Sequence, residues 1–467
     1  MTSNPLYDPY RILMKVYGEK AYLKQAIADT YIEELYRSRT VKVAYGVIEN
    51  DAYFSFCIAR YAEKSPKLPV RILLKTALYF LTVLKKKRYA VTDFAVELCK
   101  KLGKGGAAGF VNAFLRNFDE AKVNAALPKG EKGILIKTGY PAFAYQKLVE
   151  EYGARAEKIA AAKSAGVSVR FLPPVEENAA PYLEKAAGRY IKTPFPGGYI
   201  FENFARDCLY DEGKYTFQSV GSQAICGVIE PCGKLLDACA APGGKSVLLS
   251  EKCGEVTAFE LHEHRAELIK AYARRAHRDN VTAVRKDSRV YDGAYEKAFD
   301  AVLCDVPCSG FGTVSENPDI KLLKSESAFA SLAPDQRQIL STCSRYVKEG
   351  GALYYSTCSL FQSENDEIVA EFLKNNADFS PETVDSPLPH EKKKFGLQFL
   401  PDTAYGAGFY VAAMRRAAAR TNFTDLPPET ARKKAETTSL KNAENAEENA
   451  EKNAENKAQT PCGEAEE

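Results

Sequence analysis

Two cysteines stand in matching surroundings late in the chain. Cys308 lies in Asp305-Val306-Pro307-Cys308-Ser309-Gly310, and Cys358 lies in Tyr355-Ser356-Thr357-Cys358-Ser359. Each follows an apolar run, residues 299–304 and 352–356, that reads as a strand. Thiols that follow two strands of one sheet face one cleft, at the strand ends where open α/β sheets hold ligands. A lone buried Cys is ordinary packing; two at one rim suggest chemistry. A thiolate is a covalent nucleophile, and a free thiol titrates at about 8.5. A nearby cation such as Lys245, or a helix N-terminus, would lower that value.

The second candidate is Leu235-Leu236-Asp237-Ala238-Cys239-Ala240-Ala241-Pro242-Gly243-Gly244-Lys245-Ser246. It reads as a buried strand, a tight turn that small residues permit, and the start of a helix. Neither G-x-x-x-x-G-K-[ST] nor G-x-G-x-x-G is present, so a nucleotide polyphosphate is a poor fit. A nucleoside without one, such as S-adenosylmethionine, fits better. Carboxylates mark the ends of four expected strands: Asp237, Glu260, Asp287 and Asp305. Glu260 is placed for ribose hydroxyls. Asp287 is placed to accept from an adenine amino group, and Asp237 to face an aminoacyl ammonium.

These residues need a sheet to position them. From about residue 226 the order is strand, helix, strand, with strands at 235–239, 256–261, 281–284, 299–304 and 352–356, a helix at 335–348, and a last strand at 409–414. That alternation predicts a doubly wound, parallel, Rossmann-like α/β domain over 226–416. Residues 140–225 mix a helix at 143–152, strands at 167–172 and 198–201 and a helix at 181–187, a small α+β module of the RRM-like type. Residues 1–128 read as all-α, with Ile12, Leu13, Val16 and Tyr17, then Ile32, Leu35 and Tyr36, at helical spacing. The run 72–81 is apolar nearly all round and should be the central helix. Lys85-Lys86-Lys87-Arg88 at its exit suits either a helix C-terminus or RNA phosphates. Residues 119–139 read as a linker. The Asn-Ala-Glu repeats within 417–467 cannot bury a core and read as a disordered tail.

At its motifs the chain resembles a known family. The Asp-Ala-Cys-Ala-Ala-Pro-Gly-Gly-Lys run at 237–245, Asp-Val-Pro-Cys-Ser-Gly at 305–310 with Asn317-Pro318-Asp319 behind it, and Ser-Thr-Cys-Ser at 356–359 resemble the Nop/Sun family of RNA cytosine-5 methyltransferases. The Tyr45-Gly46-Val47 and 111–116 segments resemble the NusB-like helical RNA-binding fold. The first resemblance implies that Cys358 is the nucleophile and that Cys308 assists product release, with Asp305 and Lys245 in the catalytic set. It implies that Cys239, Ala240, Ala241, Pro242, Gly243, Gly244, Lys245, Glu260, Arg265, Asp287 and Asp305 bind S-adenosylmethionine. Two thiols suit that reaction, because carbon 5 of cytosine becomes nucleophilic only once a thiolate has added to carbon 6. The expected substrate is RNA, namely 16S ribosomal RNA or a partly assembled small subunit; transfer RNA and a silent ribosome-assembly factor are the alternatives. The family usually has Asp where Glu260 stands, and the stretches at Arg170, Ser219, Asp402 and Gly406-Ala407-Gly408 also depart from its pattern.

Composition sets the outer bounds. The 467 residues are 45% hydrophobic and 27% charged, an ordinary globular balance for two or three domains. Net charge is +3, but residues 421–467 hold 6 Lys and Arg against 11 Asp and Glu, leaving 58 against 50 elsewhere. A mildly basic folded part is compatible with nucleic acid. No secretory signal and no membrane span is visible. Twelve Cys with four His and no C-x-x-C suggest free thiols in the cytoplasm and no metal site. The protein is expected to be a monomer.

Overall fold

The computed structural model describes residues 4–406 and 408–418. Ala407 and the expected disordered tail from residue 419 onward lie outside the described residues.

The N-terminal part is helical, as its apolar spacing requires. Helix Leu68–Thr82 is central, with Ile72, Leu73, Leu74, Ala77 and Leu78 all buried. Lys75 is buried with them and pairs with Asp51, whose carboxylate also accepts from the Tyr17 hydroxyl. Gly46 on helix Glu34–Glu49 lies against the Tyr79 ring; a Cβ there would come within 2.1 Å of it. Leu35 does not join this core and is 83% exposed, because it lies in the first turn of its helix, before the buried stripe begins. The basic cluster complements a helix end, though of helix Ala108–Asn117. Arg88 donates to the carbonyls of Leu115 (2.7 Å) and Phe118 (2.6 Å), and Lys85 pairs with Glu120 at 3.0 Å. The expected linker is a correction: it holds helices Glu120–Ala125 and Glu131–Thr138. Asp119 caps the first through the Ala121 and Lys122 N–H groups, and Val123 is buried beneath it.

The next module has strands β1 (Val167–Phe171), β2 (Tyr190–Lys192), β3 (Gly198–Phe201) and β4 (Tyr215–Phe217). With helices Val175–Ala186 and Cys208–Asp211 they run βαββαβ, in antiparallel order β2-β3-β1-β4. The first of these helices starts six residues before the expected 181, and Pro181 lies inside it.

The third part is a mixed sheet. Strands β5 (Lys234–Asp237), β6 (Glu255–Glu260), β7 (Val281–Arg285), β8 (Phe299–Asp305) and β9 (Val347–Thr357) are parallel. The expectation of a wholly parallel sheet is corrected at one edge. Strands β10 (Phe379–Glu382), β12 (Gly396–Phe399) and β13 (Phe409–Arg416) enter antiparallel, with β11 (Glu391–Lys392) outside β12. The order β11-β12-β13-β9-β8-β5-β6-β7 makes the chain grow outward from β5 in one direction and then from β8 in the other. The topological switch point therefore lies between β5 and β8, where such sheets bind ligands. The helix expected at 335–348 is Leu332–Ser344, because β9 already begins at Val347.

Candidate active site

Asp237 ends β5 and Asp305 ends β8, so both carboxylates stand at the switch point. The turn after β5 leads into helix Gly244–Leu249 through Gly243, whose φ of +103° disfavours a side chain. A Cβ at Gly243 would also come within 3.2 Å of the Ile269 Cα. Lys245 Nζ then reaches Asp305 Oδ2 at 2.7 Å, while Ser356 Oγ donates to Asp305 Oδ1 at 2.7 Å. Burial pulls the Lys245 ammonium down, but the Asp305 carboxylate outweighs it by charge and hydrogen bond and holds the group above its ordinary value. Asp237 is 1% exposed. Its Oδ2 accepts from Ser246 Oγ at 2.7 Å, and its Oδ1 has no partner. Burial, with the Asp305 charge, pushes its carboxyl up to about 6 against the pull of Ser246 and Lys245.

Asp237, Cys239, Ala240, Ala241, Pro242, Gly244, Lys245 and Asp305 line one cavity of about 860 Å³. Lys24, Val41 and Tyr45 of the helical part line it too. Glu260, Arg265 and Asp287 lie outside that lining. Glu260 is buried at the end of β6 and accepts from the His262 N–H at 3.0 Å, and Arg265 stands 3.5 Å from it and 3.4 Å from the Ala241 carbonyl. Asp287 is clasped by Arg289 at 2.8 Å, which holds its carboxyl below the usual range. Two of the stretches that depart from the family pattern meet behind the turn. Arg170 Nε donates to Gln218 Oε1 at 2.8 Å, and Gln218 Nε2 donates to the Gly244 carbonyl at 3.0 Å.

Cys308 and Cys358 come together because β8 and β9 are neighbours, with Asp305 opposite Ser356. Their Sγ atoms are 2.9 Å apart, outside the about 2.05 Å of a disulfide, and the Cys358 N–H donates to Cys308 Sγ at 3.2 Å. The Lys245 ammonium, expected to lower a thiol, pairs with Asp305 at 2.7 Å. The hydrogen bond from Cys358, burial, and the charges of Cys358 and Glu364 push the Cys308 thiol up. Asp305 and Ser315, on either side of the Cys308 loop, both line the cavity.

Glu364 had no part in the reading of the sequence. It is 1% exposed and accepts from the N–H and Oγ of Ser309 and from Ser359 Oγ. The signal for it was the repeated Cys-Ser pair, which gives both thiol loops a hydroxyl at the same offset. Among the described residues no group of His, Cys, Asp and Glu could hold a metal ion, and no helix is long and apolar enough to cross a membrane.

A sheet with its switch point between β5 and β8, a Gly-rich turn after β5 and an antiparallel strand inserted beside β9 define an S-adenosylmethionine-dependent methyltransferase. The cradle suits that cofactor: a positive-φ glycine keeps the turn open, and a buried Asp237 oxygen without a partner lines the cavity, as an ammonium group requires. Residues 229–415 match the family model "16S rRNA methyltransferase RsmB/F", and residues 10–120 match that of the NusB family. The chain is 30% identical over 367 residues to the ribosomal RNA small subunit methyltransferase B of Sodalis glossinidius, covering 74% of this chain and 81% of that one. It is 29% identical over 449 residues to the probable enzyme of the same name from Bacillus subtilis, covering 86% and 97%. The chain belongs to the RsmB/F family of methyltransferases, and S-adenosylmethionine is its methyl donor. The fold is shared with the crystal structure of PH0851, at a TM-score of 0.74 and 20% identity over 89% of this chain and 99% of that one. NSun6 from Pyrococcus horikoshii shares it at 0.51 and 17%, over 59% and 98%.

Proposed function

We propose that this protein methylates carbon 5 of a cytosine in 16S ribosomal RNA through a covalent adduct with Cys358. The observation that carries this reading is the pair of thiols 2.9 Å apart on neighbouring strands, with Cys308 three residues after Asp305, which lines the cavity that holds the turn. Bound S-adenosylmethionine supplies an electrophilic methyl group. Asp237 would take its ammonium, the turn from Cys239 to Lys245 would cradle it, and Glu260, Arg265 and Asp287 would complete the nucleoside side. Cys358, as thiolate, would add to carbon 6 and shift an electron pair to carbon 5, which would take the methyl group as its bond to the sulfonium breaks and a neutral thioether leaves. Asp305, steadied by Lys245 and Ser356, meets the polar edge of the base. Transfer of the proton from carbon 5 to a general base then returns the electron pair, re-forms the 5,6 double bond and expels Cys358 as thiolate. Cys308 assists this last step. Residues 1–128 and 140–225 bind RNA, residues 226–416 carry the reaction, and the protein works as a cytoplasmic monomer.

The test uses wild type, Cys308→Ala and Cys358→Ala with methyl-labelled S-adenosylmethionine, on 16S transcript, on partly assembled small subunits and on transfer RNA. Labelled RNA is expected with wild type, a protein–RNA adduct on a denaturing gel with Cys308→Ala, and neither label nor adduct with Cys358→Ala. Label on transfer RNA alone would overturn the substrate assignment. No label on any RNA would overturn the activity.

A further inference from the structure

The two thiols need their loops held in register, and one buried carboxylate reaches both. Glu364 closes the short turn Gln362–Glu364 after β9 and is 1% exposed. Its Oε1 accepts from the Ser309 N–H at 2.8 Å and from Gln336 Nε2 at 3.0 Å. Its Oε2 accepts from Ser309 Oγ and from Ser359 Oγ. Gln336 Nε2 also donates to the Pro307 carbonyl at 3.0 Å, so Cys308 is held on both sides. Asn365 does the same for Cys358: its Oδ1 accepts from Thr357 Oγ1 at 2.6 Å and its Nδ2 donates to the Ser359 carbonyl at 3.3 Å.

Four donors converge on the Glu364 side chain, and no cation pairs with it among the described residues. A buried carboxylate without a counter-ion is costly. Gln would fill the same volume, with its oxygen towards the Ser309 N–H and Gln336, but its NH₂ would turn both serine hydroxyls from donors into acceptors and the charge-assisted bonds would be lost. A carboxylate gives all four donors a charge-assisted bond, which no amide does, and this explains why a costly residue occupies the position.

We propose that Glu364 is a positioning residue for both thiols, tying the residue after Cys308 to the residue after Cys358 and so fixing the separation at which the two groups work. The proposal rests on the reading of those thiols as nucleophile and release group. Neither Glu364 nor its partners line the cofactor cavity, so its effect should appear in the reaction and not in binding.

The test is Glu364→Gln in the full chain, with Ser309→Ala and Ser359→Ala each removing one arm of the bridge. A displacement of about 1 Å costs on the order of 100-fold in rate. The expected result for Glu364→Gln is therefore a kcat about 100-fold lower, with the KM for RNA and the affinity for S-adenosylmethionine within about two-fold of wild type. Adduct per methyl transferred should rise, because the release thiol has lost its register. The single-arm serine variants should fall about 10-fold in the same direction, and they carry the test if Glu364→Gln does not fold. A kcat within three-fold of wild type would overturn the proposal. So would a loss that follows melting temperature and S-adenosylmethionine affinity, the mark of a merely structural role. An inactive wild type that forms no adduct would instead overturn the assignment of the thiols, and this proposal with it.

Discussion

Asp237 gives the sharpest pH prediction. Its carboxyl is pushed from the ordinary 3.8 up to about 6 by burial first and then by Asp305. A carboxyl whose folded pKa stands above its unfolded value holds its proton more tightly in the folded chain. Folding gains from this below pH 4, and the gain is lost as pH rises through about 6. The two-unit difference amounts to about 3 kcal/mol. Asp237→Asn removes this dependence. Its new amide NH₂, at the orphan oxygen's place, adds a cost that does not change with pH and cancels from the slope. Denaturant unfolding of both proteins between pH 4 and pH 8 should show their stability difference shifting by about 3 kcal/mol in favour of Asn, mostly before pH 6.5. Saturating S-adenosylmethionine should shrink that shift for wild type, since an ammonium beside Asp237 stabilises the anion, and calorimetry at pH 6 should find proton release on binding. A stability difference flat across this range would refute the reasoning, because Asp237 would then ionise as an exposed carboxyl does.

Three further substitutions follow from contacts already described. Lys245→Met leaves the Asp305 carboxylate without its cation and should cost about 3 kcal/mol in denaturant unfolding; methyl transfer should fall at least about 100-fold. Gly46→Ala drives a methyl group into the Tyr79 ring and should lower stability by about 1–3 kcal/mol, a loss that Tyr79→Leu in the same chain should partly recover. Arg88→Ala exposes the carbonyl ends of helix Ala108–Asn117 and should cost about 1.5–3 kcal/mol, read as a lower denaturation midpoint without loss of S-adenosylmethionine binding.

The parts of the site that lie close together in sequence were legible in it. The turn from Cys239 to Lys245 announces itself through Pro242, Gly243 and Gly244, and each thiol follows its own strand. The meeting of the thiols was legible too, because it requires only that β8 and β9 be neighbours. Glu364 was not, since its role depends on Ser309, Gln336 and Ser359 arriving from three places. The pairing of Lys245 with Asp305 was equally hidden: a sequence shows a cation near a thiol motif, not which anion takes it. Among the elements, β10, β11 and β12 are two to four residues long, too short for an apolar period to show. Helix Glu120–Ala125 buries only Val123, so its polar composition read as a linker.

The helical part is tied to the reaction loop and not merely appended to it. The segment after Cys308 runs into the helical core: Asp319 Oδ2 accepts from the Leu23 N–H at 2.9 Å, and Leu322 packs on that core. Lys321 donates to the Thr138 carbonyl at 2.7 Å and the Glu49 carbonyl at 3.2 Å, capping two helix ends at once. Burial pulls its ammonium down to about 8 against the charges of Glu49 and Asp51, and the cap is a half-buried contact directed at two backbone carbonyls. Lys24, Val41 and Tyr45 then form the wall of the cavity that faces the turn. RNA held by the helical part would meet these residues on its way to Asp305. Substitutions at Lys24 or Tyr45 should therefore raise the KM for RNA, whereas a helical part that only recruits RNA from a distance would tolerate them.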